Sequence, residues 1–472
     1  MAIDLATKAE PEPSSKAKKL LLPAVCISLA TVVSAVTSLN VAIPDLARDT
    51  GASHTQIAWV VDAYALVFAS LLLVGGALGD RYGRRLALFA GLAVFGVTSL
   101  LAMFTDSIGM LIGLRGLLGI GAALVMPATL STITTVYSDR ERLRAIGIWS
   151  GVAGASAVLG LVVSGTLLEF FSWRSVFGLN VALAVIAAIL VARAVPENSE
   201  GRSNRIDVGG AVLFVLSISA IIFSIIEAPT AGWGSMRTVF GLAFGFVLLA
   251  VTIVWELRVA HPLLDPRLFG NRLFSTSALS IAMQFAAFFG FVFLIMQYLQ
   301  SVAGLSPLVG AICMLPMAAG LMGSSRNAFR VTRKLGHIRT CVLGLVLIVV
   351  AMLTLSTLGT DINYVVLFVG LPILGAGMGL AMTPATSALT ESLPADQQGV
   401  ASAMNDLARE LGGAIGIAVF GSVLTSTITN RVAEVGANQA FTDGLGNALV
   451  VAAVAVGVTA AAVAVSGLRT KH

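Results

Sequence analysis

Of the 472 residues, 57% are hydrophobic and 11% charged; soluble domains are roughly 25% charged, so an ordinary soluble globular protein is excluded and a polytopic membrane protein indicated. The net charge of +5 lies in short basic clusters between apolar runs, with no continuous basic face and no interleaved aromatics, which excludes nucleic acid as a partner. Cys26, Cys313 and Cys341 each fall inside an apolar run without metal-ligand spacing and read as packing residues, so no metal site is expected.

A bilayer core about 30 Å thick takes about 20 apolar residues per helix. Fourteen such stretches follow in chain order: 20–46, 57–79, 86–104, 109–136, 145–168, 176–195, 208–227, 238–257, 275–300, 306–325, 340–358, 364–388, 399–423 and 445–467. The opening KAKK at 16–19 precedes an apolar run far longer than the ~7–15 residues of a signal-peptide core, so the first helix is read as an uncleaved anchor. Most of the 29 Lys and Arg fall on alternate loops, and the positive-inside tendency then places both termini in the cytoplasm. The loops are too short to hold a soluble catalytic domain, and no G-x-x-x-x-G-K-[ST] phosphate loop is present, which argues against an ATP-driven pump.

The loop between the second and third spans reads GALGDRYGRR, with Gly76, Asp80, Arg81, Gly83, Arg84 and Arg85. Asp80 is placed to cap a helix start, and the glycines permit a tight turn. Its spacing resembles the signature loop of the major facilitator superfamily, where such a loop is a cytoplasmic latch between two halves. LNVAIPDL (39–46), WVVDAYALVFASLLL (59–73), RGLLGIGAALVMPATL (115–130), SWRSVFGLNV (172–181), HPLLDPRLF (261–269) and QYLQSVAGLSPL (297–308) resemble the 14-helix drug/proton antiporters of that superfamily. The resemblance implies an all-α integral membrane protein of the major facilitator fold. Its fourteen helices would group as six, two and six: a cytoplasmic tail 1–19, an N-terminal half 20–200, an inserted two-helix linker 201–272, a C-terminal half 273–467 and a tail 468–472. Halves related by duplication are usual in such transporters. RKLGHIR, Arg333 to Arg339, is a trace of that duplication, with Arg333 where Asp80 stands.

Charges inside the spans are costly and usually functional. Glu410 falls about eleven residues into the thirteenth span, roughly 17 Å deep at 1.5 Å per residue, with Asp406 one turn away on the same face. Arg409 is an ion-pair partner for Asp406, leaving Glu410 to titrate; the alternative is that DLARE is only a structural salt bridge. Asp62, in WVVDAY, is a second candidate proton or cation site, with an interfacial helix cap as its plainer reading. Arg115 is a fixed charge able to bias a carboxylate, or a structural pair. The resemblance favours Glu410 as the coupling acid and links the Arg115 position to proton transfer. In the ninth span Phe285, Phe288, Phe289, Met283, Gln284 and Gln297 offer aromatic and polarisable surface to flat lipophilic cations, against a plain packing role. The resemblance places that helix at the central cavity. The sequence departs from the family pattern at Ala35, where an acid is common, at Leu161 and Ser164 in GLVVSG, and at Leu118, where Gln is usual.

The expected function is a secondary transporter of the cytoplasmic (inner) membrane. It exports lipophilic compounds, cationic ones among them, in exchange for protons, as a monomer in the lipid bilayer, driven by the proton-motive force without a cofactor. Two alternatives remain at this stage: a same-fold exporter or flippase of an endogenous metabolite or lipid, and a non-transporting membrane scaffold or sensor. An enzyme is not expected, because no nucleophile triad or metal cluster appears and His54, His261, His337 and His472 lie in loops or the tail.

Overall fold

The computed structural model describes residues 15–196 and 207–468. Most of the predicted tails and the stretch 197–206, at the junction of the predicted N-terminal half and linker, lie outside the described residues. Within them every regular element is helical, and fourteen helices are long and apolar enough to cross a membrane. They are α1 (Ser15–Thr50), α2 (His54–Tyr82), α3 (Arg84–Phe104), α4 (Ile108–Val136), α5 (Asp139–Phe170), α6 (Ser175–Ala194), α7 (Val208–Ala231) and α8 (Met236–Glu256). Then come α9 (Arg272–Gln297), α10 (in two pieces, Pro307–Cys313 and Leu315–Leu335), α11 (His337–Leu355), α12 (Tyr364–Glu391), α13 (Gln398–Val435) and α14 (Ala437–Leu468).

The predicted centres coincide with these helices, whereas the ends differ by a few residues and several helices run further. A hydropathy pattern marks the hydrocarbon crossing, but a helix continues into the polar zone while its backbone bonds are satisfied. The clearest case is α13 with α14, whose polar turns project together beyond the apolar zone, joined by Gly436 at φ 82° and by the ion pair of Arg431 with Asp443. The tenth span breaks at Met314 because Pro316 follows in the first turn of the next piece, where its missing N–H and its ring interrupt the hydrogen-bond ladder.

Packing repeats at an interval of eight helices. α1 packs on α5 and α6, α2 on α4, and α3 on α4 and α6; α9 packs on α13 and α14, α10 on α12, and α11 on α12 and α14. Two turns carry the same repeat in their backbone. Gly83 ends α2 at φ 101° and donates to Gly79 O, and Gly336 ends α10 at φ 83° and donates to Thr332 O. A left-handed φ is nearly free only for glycine, so these two turns are built alike although the charges around them differ. Pro127-Ala128-Thr129 in α4 and Pro384-Ala385-Thr386 in α12 mark a further correspondence.

The two groups meet along two seams, α2 with α13 and α5 with α10. α7 and α8 pack on each other, and α7 lies across the first seam, touching α2 and α13. Ser219 donates to Ser70 Oγ on α2 (2.9 Å), and Trp233 Nε1 to Ser422 Oγ on α13 (2.6 Å). α8 turns Phe240, Phe244, Val247, Val251 and Val254 outward, an apolar face that suits lipid.

Candidate substrate and proton pathway

At the end of the bundle that carries the described chain ends, hereafter the basic end, Asp80 joins the two groups. Its Oδ1 accepts from Gly399 N (2.8 Å) and Arg84 Nη2 (3.2 Å), and its Oδ2 from Val400 N (3.1 Å). Arg84 also reaches Ala395 O at 3.5 Å. The helix start that Asp80 caps is therefore that of α13, far along the chain, and not α3, whose Gly83 N-cap makes no side-chain bond. A carboxylate at a helix N-terminus satisfies otherwise unpaired N–H groups and opposes the positive end of the dipole. Gly76 and Gly399 make this possible: a methyl on either would run into the other's carbonyl oxygen. Arg85 reaches Ala192 O on α6 (3.2 Å), and Arg81 lies over the Tyr82 ring. Of the predicted loop residues, Gly76, Asp80 and Arg84 build the seam, Gly83 makes the turn, and Arg81 and Arg85 face elsewhere.

About 12 to 18 Å along α13 from Gln398, at 1.5 Å per residue, lies the charged cluster of residues 406–410. Asp406 and Arg409 are both fully buried and paired, Nη1 to Oδ1 at 3.3 Å. Asn405 Nδ2 donates to the same Oδ1 (3.1 Å), and Thr386 Oγ1 of α12 donates to Asn405 Oδ1 (2.9 Å). The Arg409 guanidinium lies over the Phe285 ring of α9 at 4.5 Å and the Trp149 ring of α5 at 5.5 Å. Trp149 is itself fixed by its indole N–H donating to Thr129 Oγ1 at 3.0 Å. The threonines of the two matching Pro-Ala-Thr segments thus both support this cluster from opposite halves of the chain. Glu410, partly buried, has no hydrogen-bond or ion-pair partner among the described residues.

α13 also packs on α2 and α4. Arg115 on α4 is fully buried; its Nε donates to Val60 O of α2 (2.8 Å) and its guanidinium lies over Tyr64 at 4.6 Å. It is anchored by a carbonyl and a ring, two residues from Asp62 on α2. Asp62 is partly buried and has no hydrogen-bond or ion-pair partner among the described residues. Two unpaired acids therefore occupy the two helices of one seam: Glu410 sits next to Arg409 on its own helix, and Asp62 lies two residues from the Val60 carbonyl that anchors Arg115 of α4.

The predicted aromatic surface divides. Phe285, Phe288 and Phe289 contact one another with ring centroids 5.2 to 6.2 Å apart, and of the three Phe285 lies beneath Arg409. Gln284 is turned away: its amide donates to Ser280 Oγ (2.8 Å), which meets Cys341 Sγ of α11 at 3.1 Å. Gln297 bonds the backbone of its own helix at Phe293 O, and Met283 packs at the edge of the core. Sequence reasoning missed Trp149, Thr386 and Asn405. A tryptophan mid-span needs a partner for its N–H, and that signal was available; which ring it would meet was not.

A bundle of two like helix groups, latched at one end by a carboxylate and carrying buried charge at mid-depth along the seam, defines a multi-pass membrane transporter rather than an enzyme. The chain belongs to the Major Facilitator Superfamily, whose family model matches residues 25–417. It is similar to the multidrug efflux pump LfrA of Mycolicibacterium smegmatis, 34% identical over 88% of this chain and 81% of that protein. It is also similar to the puromycin resistance protein pur8 of Streptomyces alboniger, 34% identical over 89% and 85%, and to the multidrug resistance protein Stp of Mycobacterium tuberculosis, 31% identical over 83% and 73%. Among solved structures, the human organic anion transporter MFSD10 matches with a TM-score of 0.64, at 15% identity, over 93% of this chain and 99% of that one; this likeness concerns the fold.

Proposed function

We propose that the protein exports lipophilic compounds, cationic ones included, across the cytoplasmic membrane in exchange for protons. The observation that carries this reading is Glu410: an unpaired carboxylate at mid-depth on α13, beside an arginine already committed to Asp406 and two aromatic rings. The reading takes the basic end as cytoplasmic. The segments 20–200 and 273–467 then act as the two halves that rock against each other, with 201–272 carried as an inserted pair and each molecule working as a monomer.

The chemistry follows from charge. With the cytoplasmic side open, ionised Glu410 attracts a cation, and Phe285 with its neighbours offers ring faces to the substrate's apolar body. Rocking exposes Glu410 to the other side, where a proton neutralises it and removes that attraction. Glu410 then returns protonated and releases its proton to the cytoplasm as the next substrate binds. Asp406 and Arg409 keep a net-neutral pair throughout, and Asp62 is a second proton site on the facing helix, biased by Arg115. Asp80 closes the cytoplasmic side while the outer side is open. Similarity to proteins named for multidrug efflux and resistance supports the export direction and a broad substrate range.

Ethidium, a flat lipophilic cation, is the test substrate. Cells expressing the protein are expected to extrude preloaded ethidium, and a protonophore to stop the extrusion at unchanged ATP. Extrusion that continues without a proton gradient, or none at all at verified membrane expression, would count against this reading.

A further inference from the structure

The second seam, α5 with α10, lacks what closes the first. By the register that matches Gly83 with Gly336, Arg333 stands for Asp80 and Phe329 for Gly76. At the first seam two glycines let α2 and α13 touch backbone to backbone and a carboxylate spans them. At the second, α5 and α10 touch at Gly147 and Ser325, and towards the basic end they part around a notch of about 110 Å³ lined by Arg144, Arg326, Asn327, Phe329 and Arg330.

Among the described residues the notch is lined by three arginines and by no acid. Arg144 and Arg326 make no hydrogen bond or ion pair among the described residues, and Arg330 bonds only the neutral Asn327 Oδ1 (2.9 Å) while lying over Phe329 at 5.4 Å. Glu141, in the first turn of α5, is engaged by the Ser138 hydroxyl at 3.0 Å. Three planar forks converging without a counter-charge match the oxygens of a phosphate.

We infer that this notch takes the phosphate of an anionic phospholipid headgroup, which bridges α5 and α10 where a protein carboxylate bridges α2 and α13. Depth and surroundings select a lipid over a free anion. Arg144 and Arg330 lie about 8 Å inside the ends of their helices at 1.5 Å per residue, the level of headgroups. Met322, one turn deeper than Arg326, is half exposed and offers apolar surface to an acyl chain. Basic pockets between membrane helices are a general means of holding such headgroups. The inference stands apart from proton coupling and from the identity of the exported compound.

The test reads binding, not transport. Purified protein in phosphatidylcholine micelles is titrated with phosphatidylglycerol, following bound lipid by native mass spectrometry and the thermal midpoint. Wild type is expected to bind saturably and gain stability. Arg144→Gln with Arg326→Gln and Arg330→Gln should bind about a hundredfold more weakly, roughly fivefold per arginine, and the triple lysine variant, which keeps the charge but loses the forks, should fall between it and wild type. If the triple glutamine variant folds poorly in phosphatidylcholine alone, Arg326→Gln by itself should show the fivefold step. Equal binding by wild type and the glutamine variants would overturn the site, and equal stabilisation by inorganic phosphate at matched concentration would overturn the lipid as its occupant.

Discussion

Replacing Glu410 by Gln is expected to abolish uphill export while leaving the folded protein and downhill exchange intact. For one proton exchanged per substrate cation, each pH unit across the membrane is worth about 1.4 kcal/mol and supports about a tenfold substrate gradient. The amide keeps the size of the side chain and removes the proton site, so the gradient-driven factor is lost whole. Proteoliposomes loaded at one pH and diluted into another read this directly: wild type accumulates ethidium about tenfold for each unit of the pH step, and the variant only equilibrates it. Because no partner of Glu410 is broken, its thermal midpoint should match wild type. Accumulation that survives the substitution would move the coupling role to Asp62.

Asp406→Ala has the opposite profile, a loss of stability. The substitution leaves the Arg409 charge buried with two aromatic rings and no counter-ion. Breaking a buried ion pair from one side costs about 3–5 kcal/mol, whereas replacing both partners by apolar residues of similar volume is often neutral. The single variant should therefore show a clearly lowered unfolding temperature in detergent and reduced yield. Asp406→Leu combined with Arg409→Met should recover most of it. A single variant as stable as wild type would mean that Arg409 reaches water or another acid, and the fixed-pair assignment would fall.

These two acids, one turn apart, show what the sequence could and could not convey. Their helix, their depth and the i, i+3 spacing of Asp406 and Arg409 are local properties, so the pair and the unpaired neighbour were legible from residues 406–410 alone. The helix count was equally legible, because each crossing needs its own apolar run. What lay beyond local reading was every contact made across the bundle. Nothing near Asp80 indicates that it caps a helix more than 300 residues away, and nothing near Trp149 or Phe285 indicates that both meet Arg409. Gln284 failed for the same reason: its helix was right, but the face was set by α11 packing through Ser280 and Cys341. The repeated Pro-Ala-Thr of α4 and α12 was a visible signal, and through Trp149 and Asn405 it leads to the cluster.

In the proposed cycle substrate and proton exclude each other at Glu410. The most direct measurement adds ethidium to the purified protein in weakly buffered detergent solution near neutral pH and follows proton release with a pH dye. The account expects wild type to release protons as ethidium binds, saturating with occupancy, and Glu410→Gln to release none. Ethidium binding to wild type with no proton release would contradict it.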